Sequence, residues 1–148
     1  MMFLLDTNVV SELRKIRAGR ADANVVRWAA SIGSSTVYIS VITAMELELG
    51  VLLVERRDPS QGAILRRWLH GQVLREFENR ILPIDLPVAQ QCARLHVPDP
   101  RSERDALIAA TGLIHGLVVV SRNVRDFAAT GVSLIDPWED LDDRHKHR

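Results

Sequence analysis

The sequence predicts an α/β fold with a mainly parallel central sheet. Phe3–Leu5, Val37–Ile39 and Leu117–Val120 are short β-compatible apolar runs. Between them lie longer stretches whose apolar residues recur every three or four positions, the period of an amphipathic helix. Strands alternating with helices require crossover connections, which produce a parallel sheet with helices on its faces.

Each element has its own signal. The first strand ends at Asp6-Thr7-Asn8, residues that commonly start a turn. Asp22 to Ile32 reads as a helix, with Val25, Val26, Ala29 and Ile32 on one side. After the second strand, Thr43 to Arg56 reads as another, carrying Leu47, Val51 and Val54. Asp58-Pro59 is a helix start with proline at the first position, leading into Ile64, Leu65, Trp68, Leu69, Val73, Leu74 and Phe77. Cys92 lies in the apolar pattern Val88, Ala89, Cys92, Leu95 and reads as a small core residue. Pro98 to Ser102 is a loop. Glu103 to His115 forms a helix closed by Gly116 that feeds directly into the strand Leu117–Val120.

A chain of 148 residues suits one domain and is short for two. Residues 1–141 are expected to form that domain, with 142–148 a short polar tail. A composition 47% hydrophobic and 26% charged fits an aliphatic core and excludes global disorder. A lone cysteine excludes an internal disulfide. The apolar run before Asp6 is far too short for a membrane span or a signal segment, so a cytoplasmic protein with no membrane partner is expected. The net charge of zero does not announce nucleic acid, but 17 of the 19 basic residues are arginine, whose fork suits phosphate. A genome biased towards arginine codons is the simpler explanation of that preference, and only clustering of the arginines around the acidic site would favour a phosphate-binding role.

In open α/β sheets, ligands bind beyond the carboxyl ends of the strands. Asp6 directly follows the first strand, and Glu46 comes after the strand ending at Ser40, in what reads as the first turn of the next helix. Asp105 occupies the first turn of the helix before the strand Leu117–Val120, and Asn123 and Asp126 follow that strand. Separate segments thus bring oxygen ligands to one edge. Structural roles compete for the same residues. Thr43-Ala44-Met45-Glu46 and Ser102-Glu103-Arg104-Asp105 resemble capping boxes, and an acid in a first helical turn gains from the helix dipole. Asp126 could equally cap a helix or pair with Arg122 or Arg125. Convergence favours a site, since independent caps have no reason to follow strand ends in this order.

Four blocks, Met2-Phe-Leu-Leu-Asp-Thr-Asn-Val-Val-Ser-Glu-Leu, Ile39-Ser-Val-Ile-Thr-Ala-Met-Glu-Leu-Glu-Leu-Gly, Asp105-Ala-Leu-Ile-Ala-Ala-Thr and Val119-Val-Ser-Arg-Asn-Val-Arg-Asp-Phe, closely resemble PIN domains of VapC-type toxins, including the FitB-like branch. They occur in the family's order and spacing across nearly the whole chain. The resemblance implies a three-layer α/β/α fold and a metal-dependent endoribonuclease, the toxin of a type II toxin–antitoxin system. It implies an RNA substrate, a homodimer, inhibition by a cognate antitoxin, and DNA contact only through that antitoxin. Asp6, Glu46 and Asp105 carry over as the three acids. Many relatives have Asp where this chain has Asn123, so either Asn123 or Asp126 completes the site.

The chemistry agrees. Clustered carboxylates repel unless a cation compensates them or some of them protonate. Oxygen ligands suit Mg²⁺ or Mn²⁺, and no zinc-type Cys or His spacing is present. Asp6 and Asp105 are the foremost candidate ligands; Glu46 is a third ligand or the group that activates water, with Ser121 and Thr7 as supporting hydrogen-bond donors. Other classes fit less well. A haloacid-dehalogenase-like phosphatase needs Asp where Asn8 stands, and a receiver domain needs a late lysine, where only Lys146 in the tail is available. The glycine-rich loops of nucleotide and dinucleotide binding are absent. The remaining alternative is a PIN-like interaction module with vestigial acids, acting through its antitoxin and DNA complex.

Overall fold

The computed structural model describes residues 1–139, so the tail at 142–148 lies outside the described residues. The chain runs β1 (Phe3–Leu5), α1 (Thr7–Leu13), α2 (Ala23–Ala30), β2 (Val37–Ser40), α3 (Val41–Arg57) and α4 (Pro59–Trp68). A π-helical turn, Leu69–Val73, joins α4 to the short α5 (Leu74–Glu76). Then come β3 (Ile81–Leu82), α6 (Leu86–Leu95), α7 (Glu103–His115), β4 (Val118–Val120), α8 (Val124–Ala128) and β5 (Leu134–Ile135).

The strands form one sheet in the order β3-β2-β1-β4-β5, with every pairing parallel. Phe3 pairs with both Val37 and Val118, which fixes β1 at the centre. Strand side chains alternate between faces. Phe3, Leu5, Val37, Ile39 and Val120 pack with Val9, Trp28, Leu47 and Phe77 on one side. Leu4 and Val119 pack with Ile108, Ala109 and Phe127 on the other. Both faces are therefore covered by helices, giving the parallel α/β sheet that the pattern predicted and the three-layer α/β/α fold that the resemblance implied.

Helix ends follow local chemistry. Asp58 caps α4 by accepting from the Gln61 N–H at 3.2 Å, and Pro59 takes the first turn, where no amide partner is needed. Gly116 closes α7 in the left-handed region at φ 67°, a conformation costly for any residue with a Cβ. Cys92 is buried on α6, as its apolar setting predicts.

Two expectations need correction. Asp6-Thr7-Asn8 does more than turn the chain: Asp6 caps α1, accepting from the Thr7 N–H at 2.8 Å. Helix α3 starts at Val41 under a Ser40 cap, so Glu46 lies in its second turn and is no part of a capping box. The helix begins directly where β2 ends, without an intervening loop, which shifts the frame forward.

Candidate active site

Strand order reverses at β1: the chain builds outward through β2 and β3, then crosses back to place β4 on the other side. The connections leaving β1 and β4 turn to opposite faces of the sheet, Val9 of α1 packing on one and Phe127 of α8 on the other, and in α/β sheets the ligand crevice lies at the carboxyl ends of strands related in this way. Asp6 follows β1 and Ser121 follows β4, so both stand at that crevice.

Asp6 is 5% exposed and both of its oxygens are engaged. Its Oδ1 accepts from the Thr7 N–H, and its Oδ2 accepts from the Ser121 hydroxyl at 2.7 Å and from Asn8 Nδ2 at 3.4 Å. Ser121 Oγ in turn accepts from the Asn123 N–H at 3.0 Å, while Asn8 Oδ1 accepts from the Arg122 N–H at 3.3 Å. Glu46 reaches the same region from α3, where its Oε1 accepts from Thr7 Oγ1 at 2.8 Å. Thr7 and Ser121 thus donate to acids, as the sequence suggested. Asn8 was missed as a contributor because sequence comparison weighed it only as an absent aspartate.

Electrostatics link the acids that the sequence singled out. Burial pushes the Asp6 carboxyl above its ordinary value; the Ser121 and Thr7 hydrogen bonds oppose this, and the negative charges of Glu46 and Asp126 add to it. Asp105, the third residue of α7, is raised first by burial and then by the charges of Asp6, Asp126 and Glu46. Asp126 is therefore felt by both carboxylates. Asn123 caps no helix N–H with its side chain, and it is exposed. Ser102 likewise bonds no α7 N–H with its hydroxyl, so the capping box suggested for Asp105 is not formed.

The donor set is entirely oxygen, and its negative charges push the Asp6 and Asp105 carboxyls up, which a hard cation would relieve. Among the described residues no three or more His, Cys, Asp or Glu side chains are grouped closely enough to hold a metal ion by themselves. A separate groove of about 620 Å³, with Trp28, Trp68 and Phe77 in its wall and Arg14, Arg17 and Arg75 among its lining residues, contains none of these acids. No helix among the described residues is long and apolar enough to cross a membrane.

Comparison with known proteins decides the family, since residues 3–132 match the PIN domain. The chain belongs to the PIN-domain family. It is 36% identical over 143 residues to VapC ribonuclease Y4jK of Sinorhizobium fredii, covering 93% of this chain and 99% of that one. Toxin FitB of Neisseria gonorrhoeae is 38% identical over 146 residues, covering 94% of this PIN domain and all of FitB, 100%. A solved structure of FitAB bound to an IR36 DNA fragment superposes with a TM-score of 0.84 at 33% identity, covering 94% of this chain and 97% of that chain.

Proposed function

We propose that this PIN domain is a metal-dependent endoribonuclease and the toxin of a type II toxin–antitoxin pair. The observation carrying this reading is the hydrogen-bonded acidic group at the carboxyl ends of β1 and β4, in which Ser121 and Thr7 donate to Asp6 and Thr7 also donates to Glu46, with Asp105 pushed up by burial and by the charges of both acids. The ribonuclease and toxin relatives support the same assignment.

Asp6 and Asp105 are the proposed Mg²⁺ ligands, with Mn²⁺ an alternative ion and Glu46 a third ligand or the base. When bound, such an ion supplies an acidified water and charge stabilisation for in-line attack on a phosphodiester. Ser121 and Asn8 hold Asp6 in one orientation through its Oδ2. Thr7 fixes the Glu46 carboxylate through Oε1, and Oε2, which faces Arg104 at 3.6 Å in the free protein, is the oxygen that would orient or deprotonate water. Asp126 completes the acidic set in preference to Asn123, because its charge acts on both Asp6 and Asp105.

The FitB and FitAB relatives support a cognate antitoxin as partner and DNA contact through that antitoxin. A homodimer in the cytoplasm, with residues 1–141 as one folded unit, completes the proposal. The test is cleavage of labelled RNA by purified protein. Activity with Mg²⁺ or Mn²⁺, lost in excess chelator and in Asp6→Asn, is expected; full activity in chelator refutes the mechanism. Divalent-metal titration separates this reading from a non-catalytic interaction module, which has no reason to bind the ion.

A further inference from the structure

Among the described residues, the only ion pair made by Asp6, Glu46, Asp105 or Asp126 joins Glu46 to Arg104. Arg104 is the second residue of α7, directly before Asp105, and it reaches across to α3. We propose that Arg104 grips a phosphate of the RNA substrate beside the acidic crevice, and that in the free protein its guanidinium is parked on Glu46. This rests on the nuclease reading above.

The geometry of the pair shows that the guanidinium is uncommitted. Its single approach, Nη1 to Glu46 Oε2, is 3.6 Å, longer than the 2.7–2.9 Å of a charge-assisted hydrogen bond. Among the described residues the Arg104 side chain makes no hydrogen bond, and it is 48% exposed. Other arginines show what commitment looks like. Arg66 bonds Glu48 at 2.6 Å and Glu55 at 2.7 Å, and Arg101 donates from Nε to the Leu95 carbonyl at 2.7 Å. Arg122 lies over the Trp138 ring, 5.1 Å from its centroid.

A single half-exposed contact adds little stability. Its placement has a clearer chemical consequence. A polyanionic substrate approaching four carboxylates meets repulsion that a bound divalent cation offsets only locally. A guanidinium at the rim supplies a second positive centre with a fork matched to phosphate oxygens. Exchanging Glu46 for phosphate requires only side-chain rotation, because nothing else among the described residues holds the guanidinium.

The test measures RNA binding without cleavage. Full-length Asp6→Asn protein and its Arg104→Gln and Arg104→Lys derivatives are titrated into a fluorescein-labelled hairpin RNA at several salt concentrations. Arg104→Gln is expected to weaken binding on the order of tenfold, and to reduce the slope of log K against log salt by about 0.7–1. Arg104→Lys, which returns the charge without the fork, restores the slope. An unchanged Kd and slope in Arg104→Gln overturn the inference, as does a slope that lysine fails to restore. If the wild-type chain neither cleaves nor binds RNA, the nuclease reading falls and takes this inference with it; if wild type cleaves and Arg104→Gln binds normally, this inference alone falls.

Discussion

Ser121 donates its hydroxyl hydrogen to Asp6 Oδ2 at 2.7 Å, linking the carboxyl ends of β4 and β1 through two buried side chains. The bond favours the ionised carboxylate and opposes the upward push of burial. Ser121→Ala removes that opposition and frees the carboxylate to rotate. The expected outcome is a fall in cleavage of about tenfold to a hundredfold, the usual scale for losing the group that orients a metal ligand. The acid limb of the pH–rate profile should move to higher pH, with Ser121→Thr restoring most of it. An unshifted profile in the alanine variant refutes the role given to Ser121.

Asp6 and Asp105 also make stability depend on pH in a definite direction. Both carboxyls are raised above their ordinary value of 3.8, so over the interval beginning there the folded protein binds more protons than the unfolded chain. Their favourable contribution is complete below that value and is lost as pH rises through the folded-state pKa. Without divalent cation, the thermal midpoint should include a component that declines with pH across this window, and Asp105→Asn should flatten it. Mg²⁺ should reverse the decline, since binding tightens as the acids ionise. Thermal melts across pH, with Mg²⁺ and with chelator, measure both effects; an Asp105→Asn profile parallel to wild type contradicts the assignment.

The central strands and the helices α2, α3, α4 and α7 were legible because they are strongly patterned, whereas α6 was read only as an apolar pattern around Cys92. Residues Leu4 and Val119 face one layer while Phe3 and Val120 face the other, so the continuous apolar runs reflected burial on both sides. The edge strands Ile81–Leu82 and Leu134–Ile135 were missed, being too short for any period to register. The five-residue α8 was missed for the same reason, and α1 was hidden by the turn-forming character of the residues that cap it. At the site, the acids were legible through their positions after strand ends. Asn8 and Arg104 were not, because their importance comes from partners distant in sequence, Ser121 and Glu46.

The fourth acidic position can be decided by comparing two variants. Sequence alone left Asn123 and Asp126 open, with charge favouring the aspartate and motif position, by a small margin, the asparagine. In the folded protein, Asn123 contributes its backbone N–H to Ser121, whereas the Asp126 charge acts on both Asp6 and Asp105. Asp126→Asn should therefore weaken Mn²⁺ binding several-fold more than Asn123→Ala does. Calorimetric titration of each variant checks the order, and wild-type affinity in Asp126→Asn rejects it.

Gly62 sets the approach of α4 to α3. A Cβ there would lie 2.5 Å from Glu55 Cα and 2.8 Å from Glu55 N, backbone atoms that cannot move aside. The same hairpin is clamped by Arg66, which bonds Glu48 and Glu55 on α3. Gly62→Ala should destabilise the domain by about 1–3 kcal/mol through overpacking. Urea unfolding measures the loss; a midpoint equal to wild type rules out the close approach.

The proposed homodimer has a candidate surface on α3. Met45, Leu49, Leu52 and Leu53 are 45%, 39%, 52% and 55% exposed. Their spacing of four, three and one places them on one face of the helix, opposite the buried Leu47 and Val51. An apolar face of this kind is unusual on a helix that remains in water, and a second copy of the same face can cover it isologously. Met45 adjoins Glu46, so such a dimer brings the two acidic crevices towards one interface. Leu52→Glu together with Leu53→Glu places like charges opposite one another across the two-fold axis while leaving the buried residues of α3 unchanged. Sedimentation equilibrium at micromolar concentration should show wild type as a dimer and the double variant as a folded monomer. A double variant that remains dimeric excludes this face, and a monomeric wild type excludes the dimer itself.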